Sequence, residues 1–186
     1  MELIYILDIF GTFAFAVSGA FRAVKYEMDD LGISVLAIAT GVGGGMIRDL
    51  LLGATPPAAL TDQSYILICL AGAAAVFLAA PKIARRWDYL MAADTIGLSV
   101  FAAIGATIAE IFGAVPLTMG MMAMITACGG GVIRDVLSRE IPAILTTGFY
   151  ASAALLGGFM FVVLGAMEVP EGPRVFSTIG FTLLTR

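Results

Sequence analysis

One phrase occurs twice in this chain, 86 residues apart from Thr40 to Thr126, and each copy sets charges inside an apolar run. The first copy reads Thr40-Gly-Val-Gly-Gly-Gly-Met-Ile-Arg-Asp49 and the second Thr126-Ala-Cys-Gly-Gly-Gly-Val-Ile-Arg-Asp135. Consecutive glycines weaken a helix. An arginine and an aspartate in lipid are costly unless paired or hydrated. A phrase this costly, written twice, constrains the fold to a duplicated architecture whose copies bring the motif to a functional place.

The setting is a membrane. Of 186 residues 60% are hydrophobic and 13% charged, with a mean hydropathy of +1.01, against about 45–50% apolar and about 25% charged in soluble domains. The first apolar run has Glu2 and no Lys or Arg before it, so it reads as a retained span rather than a cleaved signal peptide. The chain has no histidine, no nucleophile elbow and no phosphate loop, which argues against an enzyme. Cys69 and Cys128 lie in apolar segments and suggest neither a disulfide framework nor a metal site. No cofactor is expected, and no basic patch points to nucleic acid.

A span needs roughly 20 apolar residues. The apolar runs are Leu3–Phe21, Leu31–Leu52, Ser64–Pro81, Tyr89–Ile108, Pro116–Leu137 and Ala143–Met167, with a shorter tail at Val175–Leu184. Arg22 and Lys25 follow the first run, Lys82, Arg85 and Arg86 the third, and Arg139 the fifth. Basic residues mark cytoplasmic loops, so a multi-pass protein of the cell inner (plasma) membrane with its N-terminus outside is expected.

The repeat extends beyond the motif. At the same spacing Asp8-Ile-Phe-Gly11 matches Asp94-Thr-Ile-Gly97, Phe15-Ala16 matches Phe101-Ala102, Gly19-Ala20 matches Gly105-Ala106, and Pro56 matches Pro142. The expected organisation is a single membrane domain, 1–186, with repeats at 1–86 and 87–172 and the start of a seventh span at 173–186. Three spans per repeat is an odd number, so the second copy enters the membrane from the other side. Inverted repeats place their site at the pseudo-two-fold axis near the midplane.

At Gly43, Gly44 and Gly45, and again at Gly129, Gly130 and Gly131, a break or kink is expected. It would free the carbonyls around Thr40 and Thr126, whose hydroxyls add oxygens at that level. Arg48 and Asp49, like Arg134 and Asp135, follow about one turn later. Around a wet path, Arg48 is expected near Asp135 and Arg134 near Asp49. Asp8 and Asp94 are candidate vestibule carboxylates, one at each mouth. Each feature also has a plainer reading. The glycines can serve close helix packing, the Arg-Asp pairs can be structural ion pairs, and the two aspartates can be hydrogen-bonded at helix-end depth. Lys82, Arg85 and Arg86 serve as topology markers or contact anionic lipid headgroups.

On the doubled Gly-Gly-Gly-x-x-Arg-Asp motif and the three-span repeat, which together cover nearly the whole chain, the sequence resembles the prokaryotic trimeric intracellular cation (TRIC) channel family. Some members of that family are catalogued as a glycine transporter domain of formerly unknown function. The resemblance implies seven spans: an inverted three-plus-three repeat with kinked second and fifth helices, and an added last helix. It implies a homotrimer with a pore in each protomer that conducts monovalent cations, chiefly potassium. Carried over, the pore-lining or gating residues are Thr40, Gly43–Gly45, Arg48, Asp49, Thr126, Gly129–Gly131, Arg134 and Asp135. The lysine-rich phosphoinositide site of animal members has no clear match. A secondary transporter of a small zwitterion such as glycine suits the same architecture, and a non-transporting scaffold is the third reading. Saturable uptake, ohmic current or no flux at all separates the three.

Overall fold

Asp29 starts the second helix by accepting a hydrogen bond from the Gly32 N–H at 2.7 Å. Gly53 ends that helix in the left-handed region, at φ 76°, with its N–H on the Asp49 and Leu50 carbonyls. Pro116 opens the matching helix of the second repeat at its first turn, where the missing N–H costs nothing. Local signals of this kind cut the apolar chain into helices in the computed structural model, which describes residues 2–83 and 87–186, without the side chains of residues 80–89.

The elements are α1 (Glu2–Lys25), α2 (Asp30–Leu52), α3 (Ala58–Thr61), α4 (Ser64–Ile83), α5 (Trp87–Ile111), α6 (Pro116–Leu137), α7 (Ala143–Thr146), α8 (Ala151–Ala166) and α9 (Glu171–Thr185). Among the described residues the regular structure is all helical, an all-α membrane architecture. The stretches Glu2–Lys25, Asp30–Leu52, Leu90–Ile111 and Pro116–Leu137 are each long and apolar enough to cross a membrane.

The expected sixth span, Ala143–Met167, is two helices rather than one: the single turn α7, a bend through Gly148, then α8. Its counterpart, α3, precedes α4 in the same way. Pro57 and Pro142 are the residues that cap these short turns, so Pro142 matches Pro57 and not Pro56. The first repeat carries one extra residue in this loop.

The duplication is written in the backbone as well as in the side chains. Glu27 (φ 53°) and Gly113 (φ 72°) are both left-handed just after α1 and α5. Gly53 (φ 76°) and Arg139 (φ 58°) are left-handed just after α2 and α6. Both pairs keep the 86-residue spacing of the motif.

The repeats meet α1 against α5 and α2 against α6. Phe15 stacks on its own counterpart Phe101, with centroids 5.3 Å apart and planes at 28°. A residue touches its own equivalent where a two-fold axis passes, so the pseudo-axis runs between these rings. The contacts of α2 with α6 are reciprocal too. Gly44 lies against the Thr126 carbonyl oxygen, and Gly130 against the Thr40 carbonyl oxygen.

At this crossing the expected break, though not the kink, is corrected. Both helices run unbroken through their glycines, so no break frees the carbonyls of Thr40 and Thr126. The glycines instead remove the side chains that would hold two helices apart. The carbonyl of each helix then packs on a Cα of the other, the geometry of weak Cα–H···O contacts.

The last helix, α9, packs on α5 and α8. Arg174 anchors it: both terminal nitrogens bond to Glu110, at 2.9 and 2.6 Å, and the guanidinium stacks on Phe161 at 4.4 Å.

Candidate functional site

α2 and α6 cross antiparallel at Gly44 and Gly130, and the Arg-Asp pairs lie four and five residues beyond the crossing in opposite directions. At 1.5 Å per residue this separates the two pairs by roughly 12–15 Å along the axes. The expected cross-pairs, Arg48 with Asp135 and Arg134 with Asp49, therefore do not form. Each motif arginine pairs with aspartates of its own repeat.

The first cluster lies on the face where α1 begins. Arg48 Nε donates to Asp49 Oδ1 at 2.8 Å, and its Nη2 stands 2.8 Å from the same oxygen and 3.8 Å from Asp8 Oδ2. The Tyr65 hydroxyl donates to Asp8 Oδ2 at 2.9 Å, and the Ala58 N–H at the start of α3 donates to Asp49 Oδ2 at 3.0 Å.

The second cluster, on the opposite face, repeats this plan. Arg134 Nε donates to Asp135 Oδ1 at 2.9 Å, and Nη1 pairs with Asp94. The Tyr150 hydroxyl reaches Asp94 Oδ1 at 3.4 Å, and the Ala143 N–H, at the start of α7, donates to Asp135 Oδ2 at 2.9 Å. All six charged residues are buried. Charges out of water persist when paired and hydrogen-bonded, as these are. The turns α3 and α7 thus have a local purpose: each aims one backbone N–H at the motif aspartate.

Asp8 and Asp94 are ion-pair partners of the arginines, and Asp8 faces a cavity. A vestibule of about 460 Å³ opens on Asp8, Arg48, Asp49 and Tyr65, with Tyr5 and Phe112 in its wall. Beyond the cluster a space of about 10 Å³ lies between Thr12, Gly41, Gly45 and Phe101, about the room one water needs. Outside the membrane-spanning segments, Asp62 marks this mouth. It accepts from the Tyr5 hydroxyl at 2.7 Å and the Ser64 N–H at 2.9 Å. These bonds, the tyrosine's first, hold its carboxyl below the usual range.

Thr40 and Thr126 are fully buried and do not face this space. The Thr40 hydroxyl donates to the Leu36 carbonyl at 2.6 Å. A methyl on Gly19 would lie 2.5 Å from the Thr40 Oγ1, and one on Gly105 2.7 Å from the Thr126 Oγ1. Each threonine thus turns its carbonyl to the opposite repeat and its hydroxyl to the first helix of its own. Cys69 and Cys128 are buried free thiols. The side chains of Lys82, Arg85 and Arg86 lie outside the described residues.

Tyr65 and Tyr150 escape a search at constant spacing because the extra loop residue sets them 85 apart. Arg22 escapes for another reason. It reads as a topology marker after the first span, yet it is buried in α1 and bonds to Asp135 at 3.0 Å and to Glu140 at 2.6 Å. Its signal in the sequence is a departure from the repeat, since Ile108 stands at the matching position.

A family model described as Glycine transporter matches twice, at residues 5–81 and 91–166. A UPF0126 membrane protein of Vibrio cholerae is 42% identical over 100% of this chain and 78% of its own length. The UPF0126 inner membrane protein YadS of Escherichia coli K12 is 42% identical over 85% of this chain and 77% of its own. Among solved structures, the TRIC trimeric intracellular cation channel orthologue from Rhodobacter sphaeroides superposes with a TM-score of 0.95 at 40% identity, covering 99% of this chain and 95% of that one. A prokaryotic TRIC channel crystallised in 0.5 M KCl gives a TM-score of 0.93 at 34% identity, covering 99% and 93%.

Proposed function

The chain belongs to the glycine transporter family that contains the solved TRIC channels, and on that premise we propose that it is a channel for monovalent cations, potassium first among them. Its solved relatives are channels and not enzymes. The proposed path runs within one protomer, between the two repeats. It passes from the vestibule through the Asp8–Arg48–Asp49 cluster, along the α2–α6 crossing, and out at the Asp94–Arg134–Asp135 cluster. The homotrimer of the Rhodobacter relative, and an N-terminus outside the inner membrane, complete the reading.

The observation that carries it is the charge at the end of the vestibule. Two carboxylates, Asp8 and Asp49, face one guanidinium, Arg48, at the bottom of a cavity with low-dielectric walls. Such a cavity concentrates cations. Arg48 closes the cavity floor, hydrogen-bonded to Asp49 and 3.8 Å from Asp8, and a cation that displaces it finds oxygen ligands in its place. In this reading the arginines are latches, and the close-packed glycines hold the two half-paths in register.

Currents through Arg48→Ala and Arg134→Ala in planar bilayers with a potassium gradient test the proposal. The expected result is higher conductance in both variants. Unchanged or lower conductance in well-folded protein overturns the latch.

One observation favours a carrier for a small zwitterion. Arg48 Nη1 is buried without a hydrogen-bond partner among the described residues. Beside Asp8, it could hold a carboxylate while the aspartate holds an ammonium group. Saturable, stoichiometric uptake without ohmic current is the result that selects this reading.

A further inference from the structure

The two clusters are copies, and their differences isolate what each needs. Asp49 is held by Arg48 Nε at 2.8 Å and by the Ala58 N–H at 3.0 Å. Asp135 is held in the same way, by Arg134 Nε and by the Ala143 N–H, both at 2.9 Å. Asp49 has one contact more, from Arg48 Nη2 at 2.8 Å, whereas Arg134 turns its Nη1 to Asp94 and Ser18. Asp135 takes the corresponding bond from another helix, from Arg22 Nη2 at 3.0 Å. Arg22 Nη1 continues to Glu140 Oε2 at 2.6 Å, and Lys25 Nζ lies 3.9 Å from the other Glu140 oxygen. The positions 86 residues away hold Ile108 for Arg22 and Ala54 for Glu140. Ser18, which accepts a hydrogen bond from Arg134, has Ile104 as its counterpart.

We infer that Arg22 and Glu140 are the gate of the second mouth, an assignment that rests on the channel reading above. Arg22 ties the end of α1 to the end of α6 and to the loop that leads into α7. These are the elements that must separate for ions to pass between the repeats at that level.

The tie is graded from core to rim. The Arg22 and Asp135 side chains are 5% and 2% exposed, whereas Glu140 is 35% exposed. Water competes for Glu140 and not for Asp135, so the rim bond is the one that breaks first. Once it breaks, Arg22 has lost its hold on the loop that leads into α7.

Arg22 also changes the charge balance. Among the described residues, the first cluster sets two carboxylates, Asp8 and Asp49, against one cation, Arg48. At the second, the carboxylates of Asp94, Asp135 and Glu140 pair with three cations, Arg22, Lys25 and Arg134. Among these residues the excess negative charge of the first cluster is matched at the second while the gate is closed. Opening removes one cation from the mouth and exposes the carboxylates behind it.

The test compares Glu140→Ala, which removes the rim acceptor of Arg22 and Lys25, with Arg22→Ile, which gives the second mouth the residue its twin already has. Ser18→Cys, in a Cys69→Ala/Cys128→Ala background, reports access independently of current. A charged, membrane-impermeant methanethiosulfonate reagent is applied from the Glu140 side. Both variants should speed modification of Cys at position 18 by about three- to tenfold, the range that losing one charged, partly exposed hydrogen bond allows. In planar bilayers they should raise open probability by a similar factor. Unchanged modification and unchanged open probability in both variants, with wild-type melting behaviour, overturn the gate. Faster modification in protein that carries no current in any form supports the gate and overturns the channel reading on which it was framed.

Discussion

Neighbouring glycines of one motif should respond in opposite directions to the same methyl group. Gly44 packs on the Thr126 carbonyl oxygen, with the Gly130 backbone N beside it at 3.3 Å from an added Cβ. Both neighbours are main chain of a packed helix, so neither can rotate away, and α2 and α6 must move apart. Overpacking of this kind costs about 1–3 kcal/mol, and a backbone obstacle places Gly44→Ala at the upper end. The gain in helix propensity from Gly to Ala returns about 1 kcal/mol. The net loss is about 2 kcal/mol. At Gly45 the nearest atom to an added Cβ is Arg48 Nη2 at 3.7 Å, an ordinary contact. Gly45→Ala then keeps the propensity gain of up to about 1 kcal/mol. For a chain of this size 1 kcal/mol moves the melting temperature by about 2–4 °C. Thermal unfolding followed by circular dichroism in detergent, at one fixed scan rate, should therefore place Gly44→Ala about 4–8 °C below wild type. Gly45→Ala should lie about 2–4 °C above it. If the glycines act as hinges and not as packing surfaces, both alanines stiffen the helix and both raise the melting temperature. Gly44→Ala melting at or above Gly45→Ala refutes the packing argument.

Arg139 and Glu27 occupy left-handed positions that glycine fills in the other repeat. Relief of about 1–2 kcal/mol of strain, less glycine's entropy cost of about 0.5–1 kcal/mol, predicts a gain of roughly 0.5–1 kcal/mol for Arg139→Gly or Glu27→Gly, read as a higher melting temperature. Asp62, whose carboxyl is held below its usual range by Tyr5 and Ser64, contributes stability that is complete above the unfolded-state value near 3.8. That contribution is lost as pH falls through the lower folded-state value. Tyr5→Phe removes the first of these bonds, so the acid limb of a melting-temperature profile should move to higher pH; an unmoved limb counts against the assignment.

Much of this fold is legible in the sequence because duplication makes it so. Constant spacing identifies Asp8 with Asp94, Phe15 with Phe101 and the two motifs with each other, and the odd number of spans inverts the second copy. Spacing cannot say which partners a charge selects. The cross-pairing expectation placed both Arg-Asp pairs at the midplane. Yet an antiparallel crossing centred on Gly44 and Gly130 carries residues four and five beyond it toward opposite faces. The glycines were legible as a costly anomaly, but not as a close contact: which atom meets a missing Cβ depends on the partner helix. Tyr65 and Tyr150 were hidden by a single extra loop residue, which moved them out of register without changing their role.

The departures from the repeat carry different information. A duplicated membrane fold with two identical mouths has no reason to rest with one mouth open and the other shut. Any asymmetry of state must come from residues that are not repeated. In this chain Arg22, Ser18 and Glu140 converge on the second cluster and have Ile108, Ile104 and Ala54 as counterparts. A guanidinium, a hydroxyl and a carboxylate against two isoleucines and an alanine is not drift among similar side chains. Burying Arg22 requires that its partners be kept, because an unpaired charge there costs about 3–5 kcal/mol. At the twin cluster Arg48 Nη2 makes the corresponding contact with its aspartate from within the motif, so holding the aspartate does not require a residue from the first helix. What Arg22 adds is a connection between α1 and α6, at one mouth only.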